Sequence, residues 1–162
     1  VEIGPDETLG DVYFKKLFPM GVDAMMESLD LVKAGVKLRH KQRLDDGSYE
    51  SWFKKDVAEL DFSKPVAELY NTIRAANPAP GAWATIKGVK LDIYDAAKVA
   101  GGDAPGTITA ISADGMTIAA GGGAILAKRV KAPEGKKIAA AEWAQSAGVK
   151  VGDVFDKPAP KG

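Results

Sequence analysis

The chain contains no cysteine in its 162 residues. Disulfides, thiolate zinc sites and a cysteine nucleophile are excluded, and on this count the compartment stays open. No run of about 18 apolar residues occurs, so no segment reads as a membrane-crossing helix. The opening residues, VEIGPDETLG, are acidic and turn-rich and do not form a signal peptide. Net charge is also missing, since Lys and Arg number 22 and so do Asp and Glu. No overall field draws the chain to nucleic acid or to a membrane surface. Its distribution is less even: residues 1–62 carry nine basic and 13 acidic side chains, and residues 63–162 carry 13 basic and nine acidic. A polyanion, if one binds, is expected at the second half.

What is present is the composition of a globular protein, 46% hydrophobic and 27% charged. The length suits one domain or two small subdomains sharing a core. The chain starts at Val1 with a helix signal close behind, and it reads as a piece of something longer.

Helix signals come first. Thr8 and Asp11 stand at capping-box spacing, with Asp a shorter version of the usual Glu. Leu9, Val12, Tyr13, Leu17 and Met20, then Met25, Leu29 and Val32, form an apolar stripe that ends at Gly35. Pro19 is expected to kink or divide this helix near Phe18. Residues 36–62 read as a solvated connector carrying Lys37, Arg39, His40, Lys41 and Arg43. Its aromatics, Tyr49, Trp52, Phe53 and Phe62, are expected to pin it to the body. Ser63 is placed to cap a further helix with Pro65 in its first turn, along whose face run Val66, Leu69, Tyr70 and Ile73. Two prolines and Gly81 end it.

Strand signals follow. Residues 82–86 and 89–94 flank Lys87-Gly88, and residues 107–112 and 116–120 flank Ala113-Asp114-Gly115. Residues 124–130 form a further strand, 138–147 a short helix, and 149–155 a last short strand; the tail from 156 is expected to fray. The expected class is α+β: a helical segment over residues 1–79, then a small OB-like β-barrel with one short helix over residues 80–162.

Few residues carry chemistry. The triple glycine at 121–123 is followed by a strand rather than a helix, so it reads as a tight turn and not a phosphate loop. His40 sits among cations and reads as an exposed histidine. The pairs Asp45-Asp46 and Asp92 with Asp95 have the form of turn and surface acids. The best basic patch is Lys128, Arg129, Lys131, Lys136 and Lys137, at a strand end and the loop after it, where phosphates could lie. Its alternative is a solvated loop. No catalytic or metal-binding constellation emerges.

Whole segments nevertheless resemble the folate-dependent formyltransferases. Residues 73–83 (IRAANPAPGAW) are similar to that family's IRA-x-NP-x-PGA stretch between two domains. Residues 58–65 (AELDFSKP) resemble its I-D-W-x-x-P segment, with Leu60 and Phe62 where Ile and Trp are usual. Residues 105–108 resemble PGT-I, 121–125 resemble G-D-G-x-L with Gly122 in place of Asp, 135–137 resemble G-K-K, and 152–155 resemble G-x-x-F. The opening through LFPMGVDAM at 17–25 is closest to the branch that includes the hydrolase domain of 10-formyltetrahydrofolate dehydrogenase.

The resemblance implies a cytoplasmic one-carbon enzyme that moves a formyl group from 10-formyltetrahydrofolate to an amine or to water. The family's catalytic Asn, His and Asp match no position here, and its folate pocket lies mostly in a Rossmann-like half of which residues 1–79 would be the helical remnant and linker. The chain alone is therefore expected to be inactive and to bind no folate by itself. The apolar stripe of residues 8–34 implies a partner: that catalytic half, or a second copy. Balanced charge leans against tRNA as the acceptor, and a stronger basic face on the barrel would reverse this. The alternative is a non-catalytic module that binds RNA or a partner protein.

Overall fold

The computed structural model describes residues 1–37 and 39–159. Its contacts divide the chain into two compact units, Val1–Trp52 and Phe53–Gly162. The class is mixed, helices with antiparallel sheet.

The first unit is helical. α1 (Leu9–Val12) opens on the predicted capping box: the Asp11 N–H donates to the Thr8 hydroxyl at 3.1 Å, and the Thr8 N–H to the Asp11 carboxylate at 3.0 Å. Lys15 also donates to that carboxylate, and this bond chiefly holds its pKa far below the ordinary range. A π-helical turn, Tyr13–Leu17, leads into α2 (Phe18–Lys33), whose first turn contains Pro19. Proline has no N–H to return to the preceding turn, and the wider π turn accommodates the missing bond. The expected division of the helix falls there.

Val12 alone is buried in this helical run, and Phe14, Phe18, Met25 and Leu29 are each about half exposed. Tyr49 and Trp52 are exposed to 89% and 87%, so they do not pin the connector as expected. The helical run gives them no core to enter, its own apolar side chains being uncovered. Phe62 does enter a core, that of the second unit. His40 is exposed, as read. No helix among the described residues is long and apolar enough to cross a membrane.

The second unit holds the core. β1 (Ala82–Ile86), β2 (Val89–Ile93), β7 (Arg129–Lys131) and β8 (Ile138–Ala139) pair in that order as one antiparallel sheet. β3 (Ala96–Val99), β6 (Gly123–Ala127), β5 (Gly115–Ala120) and β4 (Ile108–Ser112) form the other. Two stretches serve both sheets, for β2 bends through Tyr94 and Asp95 into β3, and β6 bends through Lys128 into β7. They stay bonded across the bend, Tyr94 N–H to Arg129 O at 3.1 Å and Lys128 N–H to Asp95 O at 2.7 Å.

No strand ladder among the described residues closes the sheets into a barrel. The gap is spanned by the irregular segment 152–156. Ile108 N–H donates to Asp153 O, Phe155 N–H to Gly106 O, and Asp156 N–H to Thr85 O, at 2.8–2.9 Å. The strand expected over 149–155 is thus one bridge, Thr107 with Val154. Of the tail expected to fray, Asp156 is held by its bond to Thr85, and residues 160–162 lie outside the described residues.

Alternation along β1, β2 and β7 turns Ala84, Ile86, Leu91, Ile93 and Val130 inward. Each large apolar side chain so buried contributes roughly 1.5–3 kcal/mol. α3 (Val66–Ala75) lays Leu69, Tyr70 and Ile73 into the same core, and α4 (Ala140–Ser146) adds Trp143 and Ala144. The strands begin near residue 80, where the sequence changes character. The compact units nevertheless part between Trp52 and Phe53, because α3 shares the core of the strands.

Ser63 does not cap α3. Its hydroxyl donates to Asp61 at 2.6 Å, and Pro65 takes the cap position. A carboxylate two residues away is the stronger acceptor, and the Ser63 bond holds the Asp61 pKa below its ordinary value. The first N–H of α3, on Val66, finds Gly121 O at 2.9 Å instead. Ala120 and Gly123 pair across the two-residue turn Gly121-Gly122, so the triple glycine is the tight turn it was read as.

Candidate nucleic-acid interface

The same alternation that buries Leu91 and Val130 turns Trp83, Lys90, Asp92, Arg129 and Lys131 onto the outer face of the first sheet. Register makes them neighbours: Trp83 pairs with Asp92, and Asp92 with Lys131. Lys90 reaches back over the Trp83 ring, its Nζ 3.7 Å from the centroid. The other edge of the indole is fixed by Nε1, which donates to Lys55 O at 2.6 Å.

Lys55 precedes β1 by a long stretch of chain and lies on the same face. Its Nζ donates to Asp92 Oδ1 at 2.5 Å, Pro80 O at 2.9 Å and Gly81 O at 3.2 Å. It therefore ties the turn of residues 77–81, which contains two cis X-Pro bonds, to the sheet. Gly81 has φ +85°, and a Cβ there would stand 2.9 Å from the Tyr94 hydroxyl, so only glycine fits this approach. Tyr94 is buried beneath the turn. Burial first, then the nearby Asp92 charge, raises its pKa.

A second chain of contacts runs beside the first. Asn77, the one buried polar residue of the second unit's described core, donates through Nδ2 to Asp95 Oδ1 at 3.2 Å. Asp95 Oδ2 lies 3.9 Å from Arg129 Nη1, and Arg129 Nη2 donates to Lys137 O at 3.3 Å. Lys137 places its own Nζ 3.7 Å from the centre of the Tyr94 ring.

Of the sequence-derived patch, Arg129, Lys131 and Lys137 join this face. Lys128 is exposed on the bend between β6 and β7, and Lys136 is exposed on the loop before β8. Lys55 and Lys90 were not foreseen. Lys90 was legible as an outward position of an alternating strand, whereas nothing local marks Lys55. The face thus carries Lys55, Lys90, Arg129, Lys131 and Lys137 against Asp92, Asp95 and Glu59, which bridges to Trp83 between buried Ala58 and Leu60. No group of three or more metal-ligating side chains occurs among the described residues.

Residues 53–148 match the family described as formyl transferase, C-terminal domain, and the chain belongs to that family. A methionyl-tRNA formyltransferase of Symbiobacterium thermophilum is 36% identical over 163 residues, covering 98% of this chain and 49% of the relative. One from Burkholderia thailandensis is 35% identical over 161 residues with the same coverage, 98% and 49%. The chain spans about half the length of the curated relatives it matches. Among solved structures, a variant of HypX from Aquifex aeolicus superposes with a TM-score of 0.76 at 16% identity, covering 100% of this chain and 30% of that one. The crystal structure of HypX from Aquifex aeolicus in complex with tetrahydrofolic acid gives 0.64 at 19%, covering 87% and 25%. These two likenesses establish the fold.

Proposed function

We propose that the chain is the C-terminal portion of a formyl-transfer enzyme with a folate-derived donor, and that its second unit holds an RNA acceptor of the methionyl-tRNA kind. The observation that carries this reading is the gathering of five cations on one sheet face of a chain whose net charge is zero. Phosphates bind such faces, and the affinity falls steeply with salt. The relatives' names support the acceptor, and the tetrahydrofolic acid bound to HypX supports the donor class. The catalytic Asn, His and Asp belong to a half that this chain does not match. The bent strands, with 152–156 between the sheets, support an OB-like role for the second unit, in which one outer face meets nucleic acid.

A competing reading takes water as the acceptor, favoured by the resemblance of residues 17–25 to the hydrolase branch. Under it the basic face would carry no RNA. Anisotropy titration of a labelled tRNA transcript decides between them. We expect binding that weakens roughly 10²-fold between 50 and 200 mM salt, as about four or five phosphate contacts require. Absence of binding at the lower salt would remove the RNA reading and leave the hydrolase one.

A further inference from the structure

The cations account for phosphate binding, but they leave Trp83 unexplained. Its indole is half-buried on the outer face of β1, with its polar edge bonded to Lys55 O and one face under the Lys90 ammonium. A core tryptophan is buried outright, as Trp143 of α4 is. Trp83 instead packs against the core while staying partly exposed, and the ammonium of the exposed Lys90 lies over its ring. A cation over an indole is worth little at an exposed site, and it is easily displaced. Nucleobases stack on such rings whatever their sequence, and cations beside the ring take the flanking phosphates.

We propose that Trp83 is a stacking subsite for one unpaired nucleobase, with Lys90 acting as a displaceable cover. On binding, the base takes the place of the Lys90 ammonium over the ring. Lys90 then turns to a phosphate on one side, and Lys131, across Asp92 from Trp83, meets the other. The ligand class is a single-stranded RNA segment rather than the surface of a duplex. Duplex RNA keeps its bases stacked on each other and offers this ring no partner. The bond from Nε1 holds the ring in place before the base arrives, so ordering it costs nothing further.

The inference rests on the basic-face reading, and the test separates the two. The unmodified chain is titrated with a single-stranded oligoadenylate of about eight nucleotides and with a blunt RNA duplex of equal phosphate number. Trp83→Leu is expected to weaken the single strand about tenfold and to leave the duplex unaffected. Lys131→Ala is expected to weaken both alike. Because Trp83→Leu could disturb β1, a second measurement uses the unmodified chain: an oligonucleotide carrying one 5-bromouridine is photo-cross-linked and the peptide is mapped. Attachment at Trp83 supports the subsite. Attachment confined to the exposed Trp52, or equal loss of single strand and duplex in Trp83→Leu, overturns it while the basic face stands. Failure of both RNAs to bind at low salt removes the basic face and the subsite with it.

Discussion

Lys55 has no local feature that foretells its place. It is one of two adjacent lysines in a stretch that reads as connector, yet its ammonium meets two carbonyls of the proline turn and the Asp92 carboxylate. Its side chain is 35% exposed and that of Asp92 19%, so water screens the pair in part. Lys55→Ala leaves one carboxylate and two carbonyls without this donor. We expect a loss of about 1–2 kcal/mol in urea unfolding, together with weaker tRNA binding. Unchanged stability would mean that the turn at 77–81 holds its form without the clamp. The outward positions Lys90, Arg129 and Lys131 were legible, because strand alternation fixes the face of each once one neighbour is known to be buried. Lys55 was not, since its partners lie 25 to 37 residues away and only folding brings them together.

Among the elements, turns and caps that depend on near neighbours were read well. The Thr8–Asp11 box, the Lys87-Gly88 hairpin and the glycine turn at 121–123 all form where the sequence put them. The start of α3 was misread because its cap comes from a distant carbonyl. Gly121 receives the Val66 N–H and gives its own N–H to Phe62 O and Lys64 O. A Cβ on Gly121 would lie 2.7 Å from Lys64 O, a backbone atom with little room to yield. Gly121→Ala is therefore expected to cost roughly 1–3 kcal/mol, read as a lower urea midpoint with unchanged slope. A neutral substitution would show that the turn can move off α3. β3 was missed for a related reason: Ala96 and Ala97 have little strand preference, and the strand exists because its four residues pair with β6.

For the whole molecule, the two units differ in what they can do alone. The second buries a contiguous apolar core drawn from residues 58–155. The first exposes Phe14, Phe18, Met25 and Leu29 on helices with almost no buried side chain. Contiguous apolar surface of this kind seeks cover. We propose that this cover is either the catalytic half that the resemblance implies or a second copy of the chain. Light scattering after size exclusion should show concentration-dependent association of the full chain. A fragment of residues 53–162 should be monomeric and cooperatively folded and should retain its salt-sensitive RNA binding. A monomeric full chain at high concentration would contradict this, and an unfolded fragment would show that the second unit depends on the first.

The sequence by itself determined the class, most strand positions, the local caps and turns, and the family, because each rests on neighbours in the chain or on motifs of fixed spacing. Only the tertiary structure decided that α3 belongs with the strands, that irregular chain at 152–156 spans the gap between the sheets, and that Lys55 and Lys90 complete a basic face around Trp83. These depend on contacts between residues far apart in sequence. Local periodicity has no access to such contacts, since it reports which side of an element is buried and not what stands against it.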